Sequence, residues 1–310
     1  MQPTSRVAKK DLSRFLQQQP NVLLAKILPL AVYHRYLALI GFYYFGVNAP
    51  ERRNLLKSLR YVLGGRLDKS EFLPVVLKTC AGICTHYSEK MINAHKSLPT
   101  MARYLLDNTT ISGEEWLIEV HRRKQGCLFV TCHFGAVEYI PLYLAASRYR
   151  PAIILRFKTG KLREALSGKS KQVDLELIDA DCPNVLFRAL DAIRQGRILI
   201  TLCDEVHSWR PSKKETTLLF GRMIPKDRTL DILYGRSRAK SCFGVIRRKS
   251  KGFELTIHPL ADGAQHTSLC EGAWRLLERY VYQYPQQWYQ WPNFYPEFTR
   301  YRMGLQAYAN

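Results

Sequence analysis

The chain is short of acid. Its 310 residues hold 26 Asp and Glu against 47 Lys and Arg, a net charge of +21. That imbalance implies attraction to an anionic counterpart, whether nucleic acid, an acidic protein or a lipid surface. Paired cysteines are missing as well. The eight cysteines, at 80, 84, 127, 132, 182, 203, 242 and 270, include no Cys-x-x-Cys, and several sit inside apolar runs. This argues against a disulfide framework or a zinc site and for buried, reduced thiols. No clear secretory signal opens the sequence: "SRVAKKDLSRFLQQQP" is polar and basic, and no small-residue cleavage site follows the first apolar stretch. A long apolar run is lacking too, because Lys26, Pro29, His34 and Arg35 interrupt "NVLLAKILPLAVYHRYLALIGFYYFG". The 15 uncharged residues between Arg35 and Glu51 fall short of the ~18 to 20 that a bilayer crossing needs. Internal repeats and low-complexity segments are also absent.

What is present is a core. Hydrophobic content of 46% with 12% aromatics excludes a disordered chain and suits a folded protein with a sizeable interior. The leucines and aromatics of the N-terminal stretch, followed by "ERRNLLKSLRYVLGGR", fit helices lying in a membrane interface with basic residues toward anionic headgroups; a helix packed on the protein's own core fits the periodicity equally. From there the pattern alternates. Helices are expected over 71–92, 113–124, 138–147 and 185–195, and strands over 127–132, 152–157, 197–203, 241–247 and 252–258. Runs such as "RILITLC" are apolar throughout, as strands covered on both faces must be. The expected class is α/β, a mixed and largely parallel central sheet flanked by helices. Residues 158–172 read as a loop with a short helix. Two regions are expected: an N-terminal helical, membrane-associating segment over 1–110, packed on a catalytic domain over 111–310.

The stretch "TCHFGAVEYI" carries the chemistry. His133 falls at the carboxyl end of an apolar strand and Glu138 in the helix that follows, where open α/β sheets form their clefts. A turn at Gly135 would bring the carboxylate back onto the imidazole, fix its tautomer and raise the basicity of the free nitrogen, so that the pair takes a proton from a hydroxyl. By itself the spacing also suits a histidine capping a helix and a glutamate paired at the surface. Cys132 and Cys203 flank the site, but strand alternation turns Cys132 away from the face of His133, and packing is the better reading. His207, in "CDEVHSW", has only Asp204 and Glu205 beside it, too few for a metal site. No metal is expected.

"FVTCHFGAVEYIPLYL" resembles the His-x4-Glu motif of the lipid A biosynthesis acyltransferases, a branch of the lysophospholipid acyltransferase superfamily. The likeness continues in order through "RRNLLKSLR", "IILRF", "LDAIRQGRILITLCDE", "LLFGRMIPKDRTLDILYGRSRAKSCFGVIRR" and "YPQQWYQW". Three departures stand out. The family's Asp-Gln pair is Asp204-Glu205 here, the tryptophan often preceding the motif glutamate is Val137, and the basic ending is replaced by "WPNFYPE".

The resemblance implies transfer of a fatty acyl chain from acyl carrier protein or coenzyme A to a hydroxyl of a lipid or glycolipid, with no cofactor, at the cytoplasmic face of a bacterial inner membrane. It implies His133 as general base with Glu138 orienting it. It makes Arg156 an oxyanion or phosphate ligand, has Asp204 organise the cleft, and puts Gly221 and Arg222 near a substrate. The acceptor is lipid A precursor-like or another envelope lipid. A thioesterase would use water instead, and a nucleic-acid binder would explain the charge, but the basic residues are spread along the chain without a recognisable nucleic-acid module. The oligomeric state is not legible.

Overall fold

A computed structural model describes residues 15–157, 159–260 and 268–309. The expected α/β class is observed. Before the sheet come the helices α1 (Gln19–Ile27), α2 (Leu30–Val47), α3 (Ala49–Leu63), α4 (Lys69–His95) and α5 (Leu98–Asn108). The breaks in the apolar N-terminal stretch have local causes. Extended backbone at Leu28 and Pro29 ends α1, and Asn48 accepts from the Glu51 backbone N–H to start α3, satisfying a donor that the first helical turn leaves open.

The central sheet has seven strands: β1 (Thr109–Ser112), β2 (Cys127–Thr131), β3 (Pro151–Leu155), β4 (Glu176–Asp179), β5 (Ile198–Leu202), β8 (Lys240–Arg248) and β9 (Phe253–Leu260), in spatial order β1-β9-β8-β2-β5-β3-β4. All neighbours run parallel except the β8–β9 hairpin, in register from Ser241 opposite Leu260 to Arg248 opposite Phe253. Helices α6 (Glu114–Arg122), α7 (Ile140–Ala146), α8 (Gly160–Ser170) and α9 (Val185–Arg194) lie between the strands. A separate antiparallel pair, β6 (Pro211–Leu219) and β7 (Arg222–Asp227), precedes α10 (Thr229–Ser237), and α11 (Leu269–Gln283) and α12 (Trp291–Ala309) close the chain. The stretch over 158–172, expected as a loop with a short helix, holds the 11-residue α8, opened by the Thr159 hydroxyl accepting from Leu162 N–H.

β2 sits between β8 and β5 and is buried along its whole length. Its alternation sorts the core. Leu128, Val130 and Cys132 join one cluster, with Leu55, Leu59 and Ile83 of α3 and α4, while Cys127 and Phe129 join the other, with Tyr33 and Leu37 of α2. The N-terminal helices therefore share both hydrophobic layers with the sheet. Seven of the eight cysteines are buried and none is bridged.

α2 has two apolar stripes. Tyr33, Leu37, Gly41 and Phe45 recur every four residues and are buried, whereas Leu39 at 72% and Tyr43 at 73% remain exposed with Val32, Phe42 and Val47. Among the described residues no helix is long and apolar enough to cross a membrane.

Candidate active site

β2 ends at Thr131, and the chain turns sharply to bring His133 over the sheet edge. The turn demands glycine: Gly135 has a φ of +55°, and a Cβ there would lie 1.7 Å from the Ile246 carbonyl oxygen, in a backbone region that other residues rarely adopt. The loop is held from several directions. Gly135 N–H donates to the Gln287 carbonyl at 2.8 Å, Tyr289 N–H donates to the His133 carbonyl at 3.1 Å, and Asn93 of α4 donates to the Glu138 carbonyl at 2.8 Å. Beneath it, Arg248 at the end of β8 donates to Gly135 O at 2.7 Å and to both carboxylate oxygens of the buried Glu89 at 2.6 Å.

The partner of His133 is Asp204. This buried carboxylate, just past β5, accepts from the His133 backbone N–H at 2.9 Å, lies 2.8 Å from ring Nδ1, and accepts from Trp288 Nε1 at 2.7 Å. With Nδ1 donating its proton to this carboxylate, the Nε2 lone pair is free for a substrate proton. Gln290 approaches Nδ1 to 3.0 Å, and Tyr289 stands edge-on to the imidazole with ring centres 4.8 Å apart. Burial disfavours the imidazolium, but the Asp204 charge and hydrogen bond, with Glu205 and Glu138 beyond, outweigh it and hold the His133 pKa above its usual 6.5. Glu205 contributes from the Nε2 side, 4.0 Å away.

The expectation that Glu138 orients His133 is corrected. After Gly135 the chain enters a short 3-10 turn over Val137–Tyr139, and the Glu138 carboxylate meets α4 instead, 3.6 Å from both His86 Nε2 and Lys90 Nζ. Glu138 lines the same cavity as His133, yet the carboxylate bonded to the imidazole comes from 71 residues further along. The family resemblance implies Asp204 as a cleft residue; its bond to His133 depends on β2 and β5 being neighbours. Trp288, Tyr289 and Gln290, within the motif "YPQQWYQW", join the site although the sequence reading does not place them there.

The remaining expected residues divide. Arg156 lines the cavity mouth; its Nε donates to Asp181 at 2.9 Å and a terminal nitrogen lies 2.7 Å from His207 Nε2. Gly221 and Arg222 do not line the cavity. Phe220 and Gly221 form the two-residue turn of the β6–β7 hairpin, with φ of 51° and 69°, the left-handed pair such a turn requires. Arg222 stacks on the Tyr61 ring at 4.4 Å. Among the described residues no group of three His, Cys, Asp or Glu side chains could hold a metal ion. Cys132 is fully buried beside Val130, and burial raises its pKa far above the thiol range, which leaves it a poor nucleophile.

Arg156→Lys is expected to change stability by no more than about 1 kcal/mol, as for other half-exposed pairs, while lowering kcat/KM, because an ammonium cannot span Asp181 and His207 with a planar fork. Steady-state kinetics beside thermal melts check this; unchanged kinetics would remove Arg156 from the site.

His133, Glu138, Glu205 and Gln290 open onto one cavity of about 460 Å³. Its apolar walls come mainly from β3, β4, β5 and α8, through Leu155, Leu162, Leu166, Leu175, Leu177 and Ile200; its polar walls come from α3, α4 and the 290–297 segment, through Asn54, Lys90, Asn93, Gln290 and Asn293. A base facing a hydrocarbon slot on one side and hydrogen-bonding groups on the other suits an amphipathic pair of substrates. In a comparison with curated proteins no sequence matches the chain. Residues 21–292 match the family model described as bacterial lipid A biosynthesis acyltransferase, and the chain belongs to that family.

Proposed function

We propose that the chain moves a fatty acyl group from a thioester, on acyl carrier protein or coenzyme A, to a hydroxyl of a lipid or glycolipid acceptor resembling a lipid A precursor. Family membership makes it an acyltransferase of the lipid A type. The observation that carries the finer reading is the His133–Asp204 pair at the junction of apolar and polar walls in one cavity. The acyl chain lies along Leu162, Leu166, Leu175 and Leu177, and the acceptor hydroxyl approaches Nε2 of His133 from the polar side.

His133 takes the hydroxyl proton as the oxygen attacks the thioester carbonyl. A C–O bond forms, the C–S bond breaks as the tetrahedral intermediate collapses, and the imidazolium returns the proton to the departing thiolate. Asp204 holds the ring and stabilises its charged form. Glu138, braced by His86 and Lys90, contributes to the acceptor side of the cavity. The exposed stripe of α2, with Leu39, Phe42 and Tyr43, supports seating at the surface of a bilayer, flanked by exposed Lys26, Arg35, Arg52 and Arg53. Its aromatic and aliphatic side chains enter the interface while the cations meet anionic headgroups. The expected location is the cytoplasmic face of a bacterial inner membrane.

The test supplies a radiolabelled acyl thioester to the full chain with and without extracted bacterial envelope lipid. Label in a lipid product is the expected result. Label released only as free acid would make the protein a thioesterase, and label left on the thioester would refute both.

A further inference from the structure

Three Lys or Arg side chains line the cavity, Lys90, Arg156 and Lys169. Two of them face acids: Lys90 lies 3.6 Å from Glu138 and Arg156 lies 2.9 Å from Asp181. Lys169, near the end of α8, is different. Among the described residues no carboxylate lies within the 4.0 Å of an ion pair from its ammonium, which donates to the backbone carbonyl of Asn93. That residue also bonds the Glu138 carbonyl through its side chain at 2.8 Å, so Lys169 stands one residue removed from the motif loop.

Such a placement is costly. A half-buried cation beside Leu162, Leu166 and Val173 loses hydration, and a neutral carbonyl oxygen returns only part of what a counter-charge would. The surroundings reinforce the imbalance: burial pulls the Lys169 pKa down to about 8, and burial with the charges of Lys169 and Lys26 pushes His95 down to about 4. A ligand-accessible ammonium with no carboxylate of its own is complementary to an anion brought by a substrate. An ammonium on a flexible stem reads a tetrahedral anion as a point charge, whereas a planar carboxylate favours the guanidinium fork.

We infer that Lys169 forms an anion subsite on the α4–α8 wall of the cavity and binds a phosphate group carried by one of the two substrates. The subsite rests on the acyltransferase reading only for the identity of those substrates. The phosphate belongs either to the headgroup of the lipid acceptor or to the phosphopantetheine arm of the donor.

The first measurement needs no turnover. The full chain is acetylated with acetic anhydride, and the labelling rate at Lys169 is read by mass spectrometry with inorganic phosphate or with chloride at equal ionic strength. Phosphate should slow labelling of Lys169 while leaving the exposed Lys78 and Lys124 unaffected, and chloride should protect none of them. The second measurement assigns the source. Lys169→Met should raise KM about tenfold for the phosphate-bearing substrate, the scale of one charge-assisted contact, and leave KM for its dephosphorylated analogue close to the unaltered value; Lys169→Arg should recover part of the loss. Acyl pantetheine with and without its phosphate, and acceptor lipid before and after phosphatase treatment, are the paired substrates. Labelling that phosphate leaves unchanged overturns the subsite, as does an equal KM shift for both members of each pair. If the protein transfers no acyl group, the labelling result alone decides.

Discussion

His133→Ala will lower turnover by about 10²- to 10⁴-fold, the contribution of a positioned general base, with little change in the thermal melt. The imidazole lies at the cavity wall with 12% of its side chain exposed, and its loss leaves the flanking hydrophobic layers intact. Asp204→Asn will also fall steeply, because an amide cannot accept from Nδ1, from the backbone N–H and from Trp288 while stabilising a cation on the ring. Catalysis requires neutral His133, so kcat/KM falls as pH drops through its raised pKa, and the acid limb should lie above the usual 6.5. In Asp204→Asn the residual limb should move to lower pH. The linked effect on stability has the opposite sense: a raised histidine pKa stabilises the fold fully below about 6.5, and this part fades as pH rises through the folded value. Activity of His133→Ala near that of the unaltered chain, with an unchanged circular-dichroism spectrum, would end the assignment.

Arg248→Met will destabilise the protein by about 3 to 5 kcal/mol, the usual cost of stranding one member of a buried ion pair. Glu89 is 2% exposed, and burial pushes its pKa up while the Arg248 guanidinium, bonded to both oxygens, pulls against that rise. With the guanidinium gone, the carboxylate must be protonated or be reached by water, and Gly135 O loses its donor. Arg247 is an internal control. It lies one residue earlier in β8 and pairs across the hairpin with Glu254 in a more accessible position, so Arg247→Met should cost about 1 kcal/mol or less. Urea melts compare the two, and equal midpoints would show that the buried pair does not secure the loop. The double variant Glu89→Met with Arg248→Met should recover much of the stability but not the activity, because the Gly135 contact stays broken.

How much of this was legible before the structure depends on how local each feature is. β2, β5 and β8 are apolar runs of strand length, and their sequences announce them. β1 and β4 do not: "TTIS" and "ELID" are four residues each, with only Ile178 of β4 fully buried, and they read as loop until a neighbouring strand pairs with them. The helix α8 was expected in its basic stretch only as a short one, because Leu162 is its only buried residue and no periodic apolar face marks its bounds. For the site, His133 and Asp204 were visible as polar residues at the ends of buried strands. Their bond was not, since the nearer carboxylate in sequence, Glu138, is carried off by a 3-10 turn toward α4. The glycine and arginine of "FGRM" illustrate the converse: a motif shared with a family served here a hairpin turn and a ring contact.

The separations along the chain that built the site also order events in time. His133 waits 71 residues for Asp204 and 157 for Gln290, while Glu89 waits 159 for Arg248. During synthesis the amino-terminal helices and β2 leave the ribosome long before the tryptophan that completes the histidine's carboxylate partner. An unfinished chain therefore carries the histidine without its tautomer fixed and without walls to exclude water. The site is complete only once the last strand and the segment beyond it have closed the fold.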